Sequence, residues 1–516
     1  MSLDAVGLEV MGHAFASVAE EMGLVLIHSA VSPNIRERRD CSAALFDAAG
    51  EMIAQAAHIP VHLGALHESV AAVRARAPAP GDVFVLNDPY AGGSHLPDIT
   101  LVGAVEVDGA VGGYGVVRAH HSDVGGMQAG SMPAGAREIF AEGVVVPPLR
   151  LTPDVERFLL ANVRTPEARR ADLAAQRAAV ERGADGLRAL AARHGWAALR
   201  EAARDLQAYA ERRAREALGR LAATGLTATD WLEGDGVDDT DLAIHVRVDI
   251  RDGVFHVDFT GTAPAARGNV NCPLAVARSA VLFVVRTLLP EDVPTNGGVT
   301  RVVRVTAPEG CMVHARFPSA VAAGNVETSQ RIVDTVFLAL ARGGVPVPAQ
   351  GQGTMNNVSF GGTRDDGPGT GGWTYYETIG GGQGASHGAP GPSGVHVGMS
   401  NTRNTPIEVL EMEYPLRLKA YALRRGSGGV GKWSGGEGVI REFEALAAMD
   451  ASVLSDRRRH APCGAGGGGA GAPGRTLVNG APLPPKASTR LTAGDVVRVE
   501  TPGGGGWGQP EPGGQR

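Results

Sequence analysis

The sequence is poor in cysteine, in clustered basic residues and in long apolar runs, and each shortage excludes a class of protein. Its four cysteines, Cys41, Cys272, Cys311 and Cys463, show no CxxC spacing, so neither a zinc ribbon nor a disulfide framework is indicated. The net charge of −7 comes without a basic block, which argues against nucleic acid as the main partner. No run approaches the ~20 apolar residues of a membrane span, and the N-terminus lacks a signal-peptide pattern. We therefore expect a soluble, cytoplasmic protein in a reducing compartment, with no membrane contact.

Several familiar catalytic motifs are also missing. There is no GxxxxGK[ST] sequence, and the cluster Gly380–Gly384 does not follow a strand and open a helix, so a dinucleotide fingerprint is rejected. No GxSxG elbow indicates a serine nucleophile. Cys41 and Cys272 could be nucleophiles, although a small buried apolar residue is the simpler interpretation of each. If the reaction uses ATP, this sequence gives no sign of binding it.

Glycine is the residue in excess. The chain has 73 glycines in 516 residues, about twice the usual proportion, and they cluster after Ala349. Such loops need either positive φ angles or close approach of two backbones. We interpret them as structural turns except where polar side chains are interleaved, as in TYYETIGGGQGASHG, where a ligand role stays open.

The composition is that of a globular protein, with 43% hydrophobic and 20% charged residues. Helical spacing of apolar residues over 4–28 predicts a first helix that ends near Gly23. A hairpin is predicted from Ala43–Phe46 and a strand that begins at Glu51. Residues 152–221 are rich in Ala, Arg, Glu and Leu and predict two or three long helices.

Alternating patterns follow in the second half of the chain. HVRVDIRDGVFHVDFTGT predicts a hairpin, RVVRVTAPEGCMVHA predicts another strand pair, and RSAVLFVVRTLL could be helix or strand. We therefore predict a mixed α+β fold in three parts. These are an N-terminal α/β metal-binding region at 1–151, a helical segment at 152–222, and a β-rich, glycine-loop region at 223–516 packed on the first.

Potential metal ligands lie beside two short predicted strands. His95 and Asp98 come just before Ile99–Val102, and His120, His121 and Asp123 follow Gly115–Ala119. Imidazoles and carboxylates could therefore meet at neighbouring strand ends, as an N/O ligand set that suits Zn²⁺, Mn²⁺ or Fe²⁺. The simpler alternative is a buried polar network beside a turn.

Other polar residues precede this stretch. Asp40 ends a charged loop directly before a strand, from where a carboxylate can point into a cleft. His58, His62 and His67 are four and five residues apart, but Pro60 excludes one shared helix for the first two. Each of these histidines could be a metal ligand, a substrate contact or a satisfied polar group.

A series of motifs resembles the hydantoinase B/oxoprolinase family over nearly the whole chain. The motifs are, in order, SPNIRERRDCSAALFD, HIPVHLGAL, GDVFVLNDPYAGGSHLPDITLV, HHSDVGG, SMPAGAREIFAEGVVVPPLRL, DFTGT, GNVNCPLAVARSA, NGGVTRVVRVTAPEGC, YYETIGGGQGA, NTRNTPIEVLEMEYPLRL and SGGVGKWSGGEGVIRE. The resemblance implies that Asp40, His95, Asp98 and His120 bind a divalent metal. It also implies that ATP is bound by a separate hydantoinase A-type ATPase subunit, in an α2β2 heterotetramer.

The function that this resemblance implies is ATP-dependent opening of a small cyclic amide: a hydantoin, 5-oxoproline or a related lactam. The partner would phosphorylate the amide oxygen, and this chain would direct water onto the former carbonyl carbon, with the cation lowering the pKa of that water. The chain is shorter than the carboxylase α subunits of this family and lacks an appended ATPase half. Both points favour a free-standing hydantoinase-type subunit. Two alternatives stay open: a subunit of an acetone or acetophenone type carboxylase, and a non-catalytic scaffold for the ATPase.

Roles for individual residues follow from this interpretation. His121 should point away from the cation, because adjacent strand residues face opposite sides. Asp123 is expected to orient a ligand imidazole. The predicted catalytic residues are Asp40, His120 and Asp123. The predicted substrate contacts are His58, His62, Asn87, Asp88 and His121.

Overall fold

The computed structural model describes residues 4–57, 59–62, 64–363 and 372–510. The α-helices in this part of the chain are α1 Ala5–Ser29, α2 Pro33–Arg36, α3 Ala65–Arg74, α4 Pro153–Ala161, α5 Pro166–His194, α6 Trp196–Gly219, α7 Leu274–Leu288, α8 Gly297–Thr300, α9 Ser329–Arg342 and α10 Ile407–Glu413. The strands are β1 Cys41–Asp47, β2 Met52–Ala57, β3 Val83–Leu86, β4 Asp98–Val107, β5 Ala110–His120, β6 Leu149–Arg150, β7 Ala223–Glu233, β8 Asp241–Arg251, β9 Val254–Asp258, β10 Val303–Thr306, β11 Asn357–Thr363, β12 Gly372–Glu377, β13 Leu416–Arg424, β14 Gly438–Ala445, β15 Met449–Leu454, β16 Arg475–Val478, β17 Ala481–Leu483, β18 Lys486–Leu491 and β19 Val496–Glu500. The mixed α+β class predicted from the sequence is confirmed.

An antiparallel sheet near the N-terminus carries the two strands predicted to hold metal ligands. Its strand order is β2-β1-β5-β4-β3-β6, so β5 lies at its centre between β1 and β4. The predicted hairpin is present as β1 and β2, and its turn includes Gly50, whose φ of 84° is in the left-handed region that favours glycine. Residues along β4 and β5 are almost all buried, because helices cover both faces of the sheet.

The two faces of this sheet belong to two hydrophobic clusters. On one face, alternate residues such as Leu45 and Val117 pack with α1, α5 and α6. On the other face, Phe46 and Val116 pack with Leu66 of α3. This alternation is what strand geometry requires of a sheet covered on both sides, and it holds β4 and β5 rigidly in the interior.

Helices α1 and α5 lie against each other on the first face. A Cβ at Gly183 or Gly186 of α5 would lie 2.5 Å from Met22 or Val18 of α1, so small residues permit the contact. By length and composition α1 is apolar enough to cross a membrane, with a hydropathy of 1.4 over its most apolar window. Its inner face, including Phe15, nevertheless packs into the core of this fold.

The middle of the chain builds a second layer. Strands β10-β9-β8-β7 form a four-stranded sheet, whose buried face packs with α7 and α9 in the largest hydrophobic cluster. Along β8, Ile244, Val246 and Val248 point inward, while Arg247 and Arg251 are exposed on the other face. The segment that could be helix or strand is therefore the buried helix α7.

The C-terminal part contains two further sheets, β12-β11-β15-β18 and β13-β14-β19-β16-β17. They share a third hydrophobic cluster that includes Phe360, Tyr375 and Phe443. This part packs on the N-terminal region through the hydrogen bond that Arg38 donates to the backbone carbonyl of Tyr376, with a length of 3.0 Å. Strand β12 thus reaches the residues that precede β1.

Glycine-rich segments of the C-terminal part pack backbone against backbone. They comprise 349–353, 380–394, 427–438, 462–474 and 501–508. Gly504 donates to the carbonyl of Gly436 at 2.9 Å, and Gly436 donates to that of Gln383 at 2.8 Å. A Cβ at Gly504 would lie 2.0 Å from the Gln383 carbonyl oxygen. Close backbone approach, more than positive φ, therefore explains the glycines of this array.

Two predicted elements differ in the structure. The first helix does not end near Gly23 but continues to Ser29, because Leu26 and Ile27 extend its apolar face and one glycine costs a helix only about 1 kcal/mol. The predicted strand pair in RVVRVTAPEGCMVHA is wrong, since only β10 forms there and it pairs in parallel with β9.

Candidate metal centre

Three potential ligands meet at one end of the N-terminal sheet. Asp98, the first residue of β4, is directly opposite His120, the last residue of β5. His95 lies in the loop before β4, and its backbone carbonyl accepts a hydrogen bond from the Asp98 amide at 3.1 Å. All three residues are buried. Strand pairing and one turn therefore place these side chains together.

The donor atoms of these residues form a nearly equilateral triangle. His95 Nε2 lies 3.0 Å from Asp98 Oδ1, His120 Nδ1 lies 3.1 Å from the same oxygen, and the two nitrogens are 3.2 Å apart. Two donors that are each ~2.1 Å from a cation and ~90° apart are separated by about 3.0 Å. The triangle therefore has the size of one face of an octahedral metal site.

Hydrogen bonds among these three side chains would satisfy the three donor atoms poorly. If both imidazoles donated to Asp98, their two N–H groups would face each other across 3.2 Å, whereas one divalent cation accepts a lone pair from each of the three atoms. His95 Nδ1 lies 3.4 Å from the carbonyl oxygen of Ala322, a contact that leaves Nε2 with its lone pair free. Burial lowers the pKa of His120 to about 4, which keeps the ring neutral and able to bind a metal.

The second oxygen of Asp98 is held by three further side chains. Ser94 Oγ donates to Oδ2 at 2.6 Å, Asn325 Nδ2 lies at 3.4 Å, and His62 Nε2 also lies at 3.4 Å. Burial alone would raise the pKa of Asp98, but the surrounding imidazoles hold it well below its ordinary value. The carboxylate is thus ionised and oriented with one oxygen toward the two histidines.

Asp40, the fourth predicted ligand, lies beside the triangle. Its backbone carbonyl accepts a hydrogen bond from the His120 amide at 3.0 Å. Its carboxyl group lines a cavity of about 10 Å³ that Asp98, His120 and His62 also line, which is room for about one water molecule. Burial raises the pKa of Asp40 to about 6. Its role as a fourth metal ligand stays a prediction.

The other predicted substrate contacts serve the local structure. Asn87 donates to the carbonyls of Leu96 and Val144 and accepts from the Val146 amide, so its polar atoms are in use. Asp88 caps a short 3₁₀ turn by accepting from the Tyr90 amide at 2.9 Å. Neither residue belongs to the cluster, since both tie together the loops around it.

His121 and Asp123 are directed elsewhere. His121 Nε2 lies 2.9 Å from Gln176 Oε1 on α5, on the side of the strand away from the triangle. The Asp123 carboxylate accepts from the amides of Gly125 and Gly130 and pairs with Arg164 at 2.9 Å. The structure therefore gives no support to Asp123 as the acceptor that orients a ligand imidazole.

Two of the three remaining histidines can be placed. His62 approaches Asp98 as described, and its Nδ1 lies 3.0 Å from Ser42 Oγ. His67 packs edge-on against Phe46, and among the described residues neither of its ring nitrogens has a hydrogen-bond partner. His58 lies outside the described residues.

Sequence reasoning missed several residues next to the triangle. Tyr376 of β12 stacks on His120, and its hydroxyl donates to Asn357 Oδ1 at 2.6 Å. Asn325 and Glu327 lie on a π-helical turn, Gly324–Thr328, a feature frequent at functional sites. Burial raises the pKa of Glu327 to about 8. Only the motif YYETIGGGQGA gave any sign of Tyr376 in the sequence.

Comparisons with known proteins find relatives of similar length as well as longer proteins of which this chain spans less than half. The family model described as Hydantoinase B/oxoprolinase matches residues 4–510. An uncharacterized protein of Methanocaldococcus jannaschii is 38% identical, covering 98% of this chain and 91% of its own length. The 5-oxoprolinase 1 of Arabidopsis thaliana is 36% identical over 98% of this chain, which spans 42% of that longer protein. The structure of an ATP-dependent caprolactamase from Pseudomonas jessenii is 28% identical, covers 99% of this chain and 92% of its own, and superposes with a TM-score of 0.88.

Proposed function

Because the chain belongs to the hydantoinase B/oxoprolinase family, we propose that it is the hydrolytic subunit of an ATP-dependent enzyme that opens a small cyclic amide. A hydantoin, 5-oxoproline or a related lactam is the substrate, and a ring C–N bond is broken. The observation that carries this proposal is the buried triangle of His95, Asp98 and His120. The names of two relatives, 5-oxoprolinase and caprolactamase, point to the same bond type.

The chemical problem is the stability of the amide. Resonance makes the carbonyl carbon of an unstrained lactam a poor electrophile, and phosphorylation of the amide oxygen removes that resonance. The partner subunit performs this step with ATP, and this chain receives the phosphorylated product. One water then attacks the activated carbon, and the ring nitrogen leaves as an amine that takes up a proton, so that the ring C–N bond breaks and an acyl phosphate remains. A second water hydrolyses the acyl phosphate to a carboxylate and inorganic phosphate.

His95, Asp98 and His120 would hold a divalent cation, Zn²⁺, Mn²⁺ or Fe²⁺, with Asp40 as a fourth ligand or neighbouring base. When bound, such a cation supplies a Lewis acid and lowers the pKa of water. Asp40 lines the cavity that has room for one water molecule. Its pKa of about 6 leaves it mostly ionised at neutral pH, so it can accept a proton from that water.

Tyr376 and Ser94 keep these groups in position. The Tyr376 ring fixes the plane of the His120 imidazole, and Ser94 fixes the rotation of the Asp98 carboxylate. His62 lies against the second oxygen of Asp98 and borders the same cavity, while its role as a substrate contact stays a prediction. In this scheme the side chains of this chain hold the cation, orient its ligands and accept one proton from water.

The partner we propose is a hydantoinase A-type ATPase, in a cytoplasmic α2β2 assembly. Coexpression of the two chains, followed by a panel of cyclic amides with ADP formation as readout, tests the proposal. We expect ADP formation and ring opening in a fixed ratio for one class of lactam. Ring opening by this chain alone without ATP would contradict the division of labour, and ATP turnover that depends on bicarbonate and a ketone would indicate a carboxylase instead.

A further inference from the structure

A large cavity lies outside the candidate metal centre. It is an open cleft of about 1100 Å³ between α3, α7 and the edge of the β10-β9-β8-β7 sheet. A cleft of that size can take a small organic ligand with room to spare. None of the roles proposed above uses it.

The cleft is positively charged on a negatively charged protein. Five arginines line it together with three acidic residues: Arg215, Arg247, Arg251, Arg278, Arg304, Glu68, Asp249 and Asp252. The chain as a whole has a net charge of −7. Because guanidinium groups bind phosphate and carboxylate oxygens in pairs of hydrogen bonds, the surplus favours an anionic ligand.

The surplus charge lies on the exposed face of the sheet. Arg304 of β10 makes no ion pair or hydrogen bond within the part of the chain that the structure describes. Arg247 and Arg251 of β8 share one carboxylate, that of Asp249, at 3.1 and 3.5 Å. Asp258 of β9 also lies on this face, opposite Arg247, and Asp252 lines the cleft next to Arg251. Among the described residues, Arg304 is therefore the arginine of this face that has no ionic partner.

Apolar side chains line another part of the cleft, because Val303 and Val305 alternate with Arg304 along β10 and face the opposite side of the strand. Leu282 of α7, Val254 of β9, and Val303 and Val305 of β10 line the same cleft. A ligand that fits both surfaces carries an anionic group and a small aliphatic ring. A phosphorylated cyclic amide has both.

One short segment separates the cleft from the metal centre. Ile59, Val61 and His62 line the small cavity beside the triangle, and His62 contacts Asp98 at 3.4 Å. Gly64 and His67, a few residues further along, line the cleft. The two cavities are therefore neighbours on either side of this segment.

We propose that the cleft is a binding site for the phosphorylated cyclic amide, where Arg304, Arg251 and Arg247 hold the phosphoryl group and the apolar wall holds the ring. This inference rests on the proposed function, because it takes the activated substrate from that scheme. It assigns to this chain a receiving site that is distinct from the metal ligands.

Binding of cyclohexyl phosphate to the isolated full-length chain tests the inference without any turnover. Titration calorimetry in the presence of a metal chelator compares the unaltered chain with Arg304→Gln and Arg251→Gln. The matched control is Arg417→Gln on β13. Arg417 is 59% exposed and 3.5 Å from Glu444, whereas Arg251 is 65% exposed and 3.5 Å from Asp249. All three changes are at the surface, so folding should be retained, which circular dichroism checks.

We expect each cleft variant to bind cyclohexyl phosphate about five- to tenfold more weakly, since a charge-assisted hydrogen bond is lost, and the control to be unchanged. Inorganic phosphate should bind more weakly than cyclohexyl phosphate, because it cannot use the apolar wall. Equal affinities of all variants would overturn the inference, and so would equal affinities for the two phosphates. Because cyclohexyl phosphate is not a lactam, this binding measurement can be interpreted even if the proposed ring-opening activity is not found.

Discussion

The ring of Tyr376 lies flat against the imidazole of His120, with centroids 4.6 Å apart and planes inclined by 19°. The two residues are 256 positions apart in the sequence and belong to different sheets. The contact joins the C-terminal part of the chain to the candidate metal centre. A substitution that disturbs the packing of either part should therefore also disturb the structure of the other.

Replacing His95 or His120 by alanine should remove the metal and the coupled ring opening. Each change deletes one of three donor atoms, and we expect metal affinity to fall by about 100-fold or more, since even partners of ligands are worth 10- to 100-fold. Metal content by mass spectrometry is the measurement. His121→Ala is the control, because its ring bonds to Gln176 on α5. Stoichiometric metal in the His120 variant would contradict the site.

Two substitutions of Tyr376 separate the effect of ring stacking from the effect of its hydrogen bond. Tyr376→Phe keeps the ring but leaves Asn357 Oδ1 without its 2.6 Å partner, so it should cost about 1–3 kcal/mol of stability and retain the metal. Tyr376→Ala also removes the ring and should weaken metal binding about tenfold or more. Thermal denaturation and metal titration of the two variants measure the two effects. Equal metal affinity in both would show that the stack does not orient His120.

Glu142 should make stability fall as the pH rises. Its buried carboxyl group accepts from the amides of Val321 and Ala322, and burial raises its pKa from 4.5 to about 8. Between these pH values the folded chain holds a proton that the unfolded chain has lost, so each pH unit costs at most about 1.4 kcal/mol of stability. Glu142→Gln should remove this slope between pH 5 and 8. The exposed Glu138→Gln should keep it, and parallel melting curves for all three proteins would refute the assignment.

The glycine array predicts opposite effects for two Gly→Ala changes. At Gly504 a Cβ would lie 2.0 Å from the carbonyl oxygen of Gln383, so alanine should cost about 3 kcal/mol or more. At Gly219, the last residue of α6, a Cβ would meet nothing within 4 Å, and alanine should be neutral or stabilising by up to about 1 kcal/mol. Melting temperatures compare them. Similar melting temperatures for the two variants would mean that the array relaxes around the added carbon.

Local patterns predicted the elements that form from nearby residues. The β1–β2 hairpin, the long helices α5 and α6, and the β8–β9 hairpin follow from periodicity and turn residues. The placement of His95, Asp98 and His120 was also accessible, because all three flank two adjacent strands. The pairing of β10 was not accessible, since its partner β9 is more than forty residues away in the sequence.

The residues that surround the candidate centre could be identified only from the folded structure. Tyr376 and Asn325 reach it from elements far along the chain, and no spacing in the sequence relates them to His120. Asp123 is the reverse case, because its sequence position suggested a role at the centre and its contacts lie elsewhere. Its position three residues after His120 favoured a shared role, but two glycine amides and Arg164 use its carboxylate oxygens.

The glycine array also affects how the gene can vary. Every codon for glycine begins with GG, and each missense change by a single nucleotide yields a residue that carries a Cβ. At Gly382, Gly435, Gly436 and Gly504 that carbon would lie 1.9–2.0 Å from a carbonyl oxygen, whatever the polarity of the new side chain. At such positions conservative and radical substitutions should be almost equally harmful, so a scan of all single substitutions should show glycine alone tolerated along these segments.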